Sequence, residues 1–138
     1  MSSELSLQAA TVQDIQIELI RRTKFNTFDG KEIVQLLQRH RHLWKAVLLD
    51  RPGLPNYSHP RQLLMAGLIK LRDLEDNIWN ADLLYALTHT QEGARELAKA
   101  FEESETGAMP SVHEDIMETD DALGMGRQTY GLMSAWWD

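Results

Sequence analysis

Apolar residues recur at helical spacing through the first forty positions and gather into short runs afterwards, so the chain predicts helices first and a sheet later. Val12, Ile15, Leu19 and Ile20 share one face of a segment from Thr11 to Arg22. Asp14 and Glu18 lie near its start and Arg21 and Arg22 near its end, the polarity that a helix dipole favours. A second helix is predicted to start within Phe28-Asp29-Gly30-Lys31-Glu32-Ile33, where Asp29 caps, Glu32 reaches back and Phe28 staples onto Ile33. Its apolar spacing continues through Leu36, Leu37, Leu43, Trp44, Val47 and Leu48, so one long helix to about Asp50 is formally allowed. The polar block Arg39-His40-Arg41-His42 interrupts it, and the reading adopted is a helix to about His40 followed by a strand over Trp44 to Leu49.

Arg51 to Pro60 holds three of the chain's four prolines and reads as an exposed loop. Leu63 to Leu74 stays open between a helix begun at Pro60 and a strand over Leu68 to Arg72. Asp82 to Thr88 predicts a buried strand, after which Thr88 or Thr90 caps a helix over Gln91 to Glu103 with Ala94, Leu97, Ala98 and Phe101 inward. A turn over Gly107 to Pro110 precedes a short strand at Ser111-Val112-His113. A short helix from Ile116 to Leu123 follows, ended by Gly124, and then a last strand over Thr129 to Trp137. The expectation is an α+β fold: a single small domain over residues 11–138 behind a disordered terminus at 1–10, its N-terminal helices packed with a small mixed β-sheet built mainly from the C-terminal half.

Composition narrows the classes of function. With 138 residues, 43% of them hydrophobic and 25% charged, the chain is long enough for one ordinary core and too short for two. It has no cysteine, which removes disulfides, thiolate metal sites and cysteine nucleophiles, and points to a reducing cytoplasmic compartment. Met1 to Ala10 lacks the basic and apolar regions of a signal peptide, and the run Leu63 to Ile69 is far short of a membrane span of about 20 residues. Asn56-Tyr57-Ser58 fits a glycosylation acceptor by chance in such a setting.

Charge is laid down unevenly. The first sixty residues carry eight basic and six acidic side chains and the remainder six and fifteen, which gives the net charge of −7. The basic stretch includes Arg21, Arg22, Lys24, Lys31, Arg39, Arg41 and Lys45 with Phe25 and Trp44 nearby, a composition that suits phosphate contacts. The overall negative charge repels a polyanion and no nucleic-acid-binding motif is present, so a basic stripe facing the protein's own acidic half, or another subunit's, accounts for the same residues more simply.

Candidate chemistry is sparse. His113, Glu114 and Glu118 are the best metal ligands on offer, with Asp115 or Asp121 to handle a proton in a metal-dependent hydrolase, yet their spacing matches no standard metal motif and also fits a solvated acidic helix edge. His40 and His42 share a face only on a strand, and otherwise cap carbonyls near a helix end. Gly124-Met125-Gly126-Arg127 lacks the phosphate-loop pattern, and no serine sits in a nucleophile elbow. A small-ligand pocket near Trp79, Tyr85 and His89 is a further reading. Trp136 and Trp137 are adjacent, so on a strand they point to opposite faces and at most one joins a one-sided core.

The leading expectation is a non-enzymatic acidic protein-interaction module of the adaptor, regulator or inhibitor kind, needing no cofactor and binding a partner with a basic surface through Glu102, Glu103, Glu105, Asp120, Asp121, Trp136 and Trp137. Homo-oligomerisation through Leu63 to Ile69 and the tryptophans is open, and a membrane role is not expected.

Overall fold

The structure, a computed structural model, describes residues 6–25, 27–50 and 71–138. The loop expected at 51–60, the Leu63 to Ile69 run and the first five residues fall outside this range. Ser6 opens a turn whose carbonyl accepts from the Ala9 and Ala10 amides at 3.1 and 3.0 Å. Thr11 then starts α1 (Val12–Arg21) with a full capping box: its hydroxyl accepts from the Asp14 amide, and the Asp14 carboxylate accepts from the Thr11 amide. A two-residue ladder of β1 (Lys24–Phe25) and β2 (Phe28–Asp29) turns the chain into α2 (Gly30–Arg39), where the Asp29 carboxylate caps by accepting from the Lys31 amide at 3.1 Å.

The polar block at 40–43 is a turn, and β3 (Trp44–Asp50) follows as a strand. A register shift between Trp44 and Ala46 marks a bulge at Lys45, beyond which burial alternates strictly: Val47 and Leu49 in, Leu48 and Asp50 out. This alternation decides against the long-helix alternative. The remaining elements are β4 (Leu83–Thr88), α3 (Gln91–Glu103), β5 (Met109–Val112), α4 (Ile116–Leu123) and β6 (Gly131–Trp136). Thr90 rather than Thr88 caps α3, its hydroxyl accepting from the Gly93 amide at 2.9 Å, while Thr88 stays in the strand. Residues 71–74 are helical, so Leu71 and Arg72 do not belong to a strand.

The α+β class is as the sequence implies, with three of the four strands of the main sheet from the second half of the chain. The order is β3-β4-β6-β5, and every neighbouring pair is antiparallel. The expectation of a mixed sheet is corrected here for a topological reason. β4 and β5, joined by α3, run the same way, but β6 inserts between them and opposes both, so the described strands of this sheet form no parallel pair.

One face of this sheet builds the core. Trp44, Val47, Leu49, Leu84, Ala86, Met133, Ala135 and Trp137 meet Ile20 of α1, Ile33, Val34, Leu36 and Leu37 of α2, and Ala94, Leu97, Ala98 and Phe101 of α3. Trp44 also donates its indole N–H to the Leu37 carbonyl at 2.9 Å, locking β3 to α2. Both edges of the sheet are blunted. On the β3 edge the Gln13 side chain of α1 bonds Val47 twice, and on β5 Pro110 brings no N–H to the edge strand.

Ahead of β4, Asp73 anchors the buried Asn80, which donates to its carboxylate at 2.7 Å, while Arg72 donates from Nε and Nη2 at 2.8 and 3.0 Å. The hydrogen bond from Arg72, then that from Asn80, pulls the Asp73 carboxyl down to about 2. A carboxyl lowered in the folded state stabilises it above its ordinary value of 3.8, and that contribution is lost as pH falls towards 2. Amide exchange at Ile78, whose N–H donates to the Asp73 carbonyl, is therefore expected to quicken across this window in the native chain. In Asp73→Asn that additional change with pH should disappear.

Candidate functional site

The opposite face of the sheet contributes no residue to the helical core. Strand register sets its side chains in three rows. The first holds Asp50, Leu83, Trp136 and Met109; the second Leu48, Tyr85, Ser134 and Ser111; the third Ala46, Leu87 and Leu132, with His113 beside Leu132, to whose carbonyl its backbone N–H donates. Of these twelve positions only Asp50, His113 and Tyr85 are ionisable, and the first two occupy opposite corners. An antiparallel sheet that turns one face to water ordinarily alternates apolar with charged or polar residues, whereas this face is largely apolar. Leu48, Met109 and Trp136 are each more than two-fifths exposed on it.

The adjacent tryptophans are divided by the pleat. Trp136 lies on this outer face, 42% exposed, while Trp137 is fully buried between Phe28 and Phe101. Trp137 is therefore removed from the partner-contacting set, because a ring packed edge-on against two core aromatics has no surface to offer. The five acidic candidates do not form one patch either. Glu102 and Glu103 end α3 and Glu105 follows in the turn into β5, which places them at the Trp136 end of the sheet. Glu105 holds a left-handed backbone (φ 61°), a conformation that costs a non-glycine residue about 1–2 kcal/mol and is retained here at an exposed turn. Asp120 and Asp121 lie on α4, between His113 and Gly131, at the other end of the sheet, and Asp120 accepts from the Gln128 amide at 2.6 Å.

The residues of the metal reading separate. His113 Nε2 hydrogen-bonds Ser134 Oγ at 2.8 Å across β5 and β6, Glu114 pairs with Arg95 of α3 at 2.6 Å, and Asp115 caps α4 by accepting from the Glu118 amide at 3.1 Å. Among the described residues, no three His, Asp or Glu side chains gather closely enough to hold a metal ion. The trio proposed for a ligand pocket also diverges: Trp79 packs against the core beyond one end of β4, Tyr85 stands on the outer face, and His89 is exposed beyond the other end. A shallow open depression lined by Gln35, Gln38 and Arg39 lies on α2 and gathers no convergent chemistry.

Several cations of the basic stretch are occupied locally. Arg21 and Arg22 both reach Glu18, at 3.6 and 2.9 Å; Arg41 stacks 3.9 Å above the Trp44 ring and donates to the Trp44 carbonyl; and Lys45 lies 5.5 Å from the Tyr130 ring centre. His40 and His42 face each other in the turn at 6.4 Å between ring centres, and the pKa of His40 is lowered by burial first, then by Arg39 and His42.

The partnership of His113 with Ser134, 21 residues apart, carried no signal in the sequence, because it follows from strand register. The outer face itself was half legible: Leu83, Tyr85 and Leu87 alternate with core residues, but a fully buried strand shows the same apolar run. No protein-family model, curated protein or solved structure matches the chain. Among the described residues, no helix is long and apolar enough to cross a membrane.

Proposed function

We propose that this protein is a non-enzymatic interaction module, cytoplasmic in setting, which binds a protein partner with its largely apolar sheet face and steers that partner with the acidic end beside it. The observation behind the reading is the row Leu83-Trp136-Met109, an exposed indole among apolar neighbours, next to Glu102, Glu103 and Glu105. Tryptophan is among the residues enriched at the energetic centres of protein interfaces. Four strands at about 4.8 Å spacing and six residues at about 3.3 Å give a face of roughly 400 Å². A standard interface takes about 800 Å² from each partner, so the face alone is half of one and the acidic rim supplies further contact. A basic partner satisfies both: cations meet the glutamates, and apolar groups meet Trp136 and Leu48. Asp120 and Asp121, at the far end, contribute to the long-range field rather than to this contact.

The test is a retention experiment from native extract with the wild-type chain, Trp136→Ala, and Glu102, Glu103 and Glu105 together changed to Gln. A basic protein held by the wild type is expected to be lost with Trp136→Ala, at a cost of 2 kcal/mol or more, about thirtyfold. With the triple glutamine variant it should bind more slowly and lose much of its salt dependence. Equal retention by all three proteins, insensitive to salt, would refute the proposal.

A further inference from the structure

The exposed edge of the main sheet is closed by a helix in an unusual manner. Val47 of β3 turns its N–H and C=O away from β4, and both are met by one side chain: the Val47 amide donates to Gln13 Oε1 at 2.9 Å, and Gln13 Nε2 donates to the Val47 carbonyl at 2.9 Å. One turn further along α1, Gln16 Oε1 accepts from the Leu49 amide at 3.4 Å. A primary amide that donates and accepts against one residue reproduces the pair of bonds a neighbouring antiparallel strand would make. The two glutamines thus stand in for a fifth strand.

The helix that carries them is lightly held. Ile20 is the one fully buried side chain of α1, whereas α2 buries Ile33, Val34, Leu36 and Leu37; Val12 and Ile15 of α1 are 78% and 42% exposed. A ten-residue helix has little stability of its own, and segments with few buried contacts open most easily. The buried anchor sits at the C-terminal end of α1, so the half bearing Gln13 and Gln16 is the half that lifts. Beneath it, Ala46 to Asp50 is regular strand beyond the bulge, with Leu48 at its centre.

We infer that the β3 edge is a latent self-pairing surface held shut by Gln13 and Gln16, and that its occupant on opening is the same strand of a second copy of this chain. Antiparallel pairing about Leu48 sets Val47 opposite Leu49, uses the N–H and C=O groups the glutamines release, and keeps the buried faces of both sheets on one side. The two largely apolar faces then join into one, which suits self-association of chains carrying −7 each, since the joining strand offers one carboxylate, Asp50, at its end.

Leu48 opposite itself forms a non-hydrogen-bonded pair with Cα atoms about 4.5 Å apart, within disulfide reach, and the chain has no cysteine to confuse the result. The experiment compares L48C with L48C/Q13A/Q16A by light scattering, non-reducing electrophoresis after mild oxidation, and amide exchange. The expected result is a monomer for L48C and a disulfide-linked dimer for the triple variant, at least tenfold more abundant. If the triple variant does not fold, L48C/Q13E takes its place: its carboxylate repels the Val47 carbonyl while α1 keeps its length, and the same dimer is expected. A folded variant that stays monomeric with Val47 exchanging freely, or one in which Val47 exchanges no faster than in the wild type before any dimer forms, overturns the inference.

Discussion

Trp137→Ala is expected to cost about 3–5 kcal/mol, the range for emptying a large aromatic from a close-packed core. The ring is fully buried and meets Phe28 edge-on at 4.7 Å and Phe101 at 6.0 Å, so it joins β2 to α3 across the end of the sheet. Each such aromatic pair adds about 0.5–1.5 kcal/mol beyond its buried area, and α3 and the hairpin have little else in common. Against a total of about 5–15 kcal/mol for an ordinary domain, the loss is about a fifth of the whole or more. Trp137→Phe is the informative companion. The indole N–H is buried and has no hydrogen-bond partner among the described residues, so phenylalanine removes an unsatisfied donor as well as some volume, and its cost should stay below about 2 kcal/mol. Urea midpoints followed by far-UV circular dichroism distinguish the two; equal losses would mean that the indole's second ring, not the edge contacts, carries the packing.

The second large effect runs against propensity. Alanine ordinarily gains about 1 kcal/mol over glycine in a helix. At Gly30, the first residue of α2, it is expected to lose about 3 kcal/mol instead, because its methyl group would overlap the Ile20 carbonyl oxygen and stand 2.8 Å from the Thr23 carbonyl oxygen. These are backbone atoms at the end of α1 and cannot swing aside, and the Gly30 amide is itself tied to the Thr23 carbonyl at 3.0 Å. Gly93→Ala in α3 is the control: its nearest neighbours lie at 3.3 and 3.4 Å, so a slight squeeze offsets the propensity gain and the midpoint should barely move. Similar midpoints for the two variants would show that α1 and α2 separate without difficulty.

Much of the fold was legible because local chemistry and tertiary structure agree. Asp29 caps α2, Gly124 ends α4 in a left-handed conformation, and the apolar face of α3 is the one read from Ala94, Leu97, Ala98 and Phe101. The ambiguity at Trp44 to Leu49 was genuine: five apolar residues in six satisfy helix and strand alike, and what settles it is pairing with β4, a partner almost forty residues away. Strand order was illegible for the same reason. Nothing near Gly131 says that β6 pairs with β4 as well as with β5, the strand next to it in sequence.

The candidate surface was legible only in part. The chain places Trp136 and Trp137 on opposite faces of a strand, and they are so divided. Which of them is buried depends on Phe28 and Phe101, which local sequence does not bring near. The acidic residues read as one group because they are close along the chain; α3 and α4 carry them to opposite ends of the sheet. Gln13 and Gln16 carry no local signal, since an amide on a helix looks solvent-facing until an unpaired strand edge lies beneath it.

Because β6 lies between β4 and β5, the order of synthesis and the order of assembly differ. On the ribosome α1 to α3 and the β3–β4 pair emerge first, while Met109 to Val112 waits with no neighbour until the segment ending at Trp137 has cleared the exit tunnel. Closure is thus a late, concerted step, and a nascent chain halted before residue 131 should remain a client for chaperones rather than a smaller native domain.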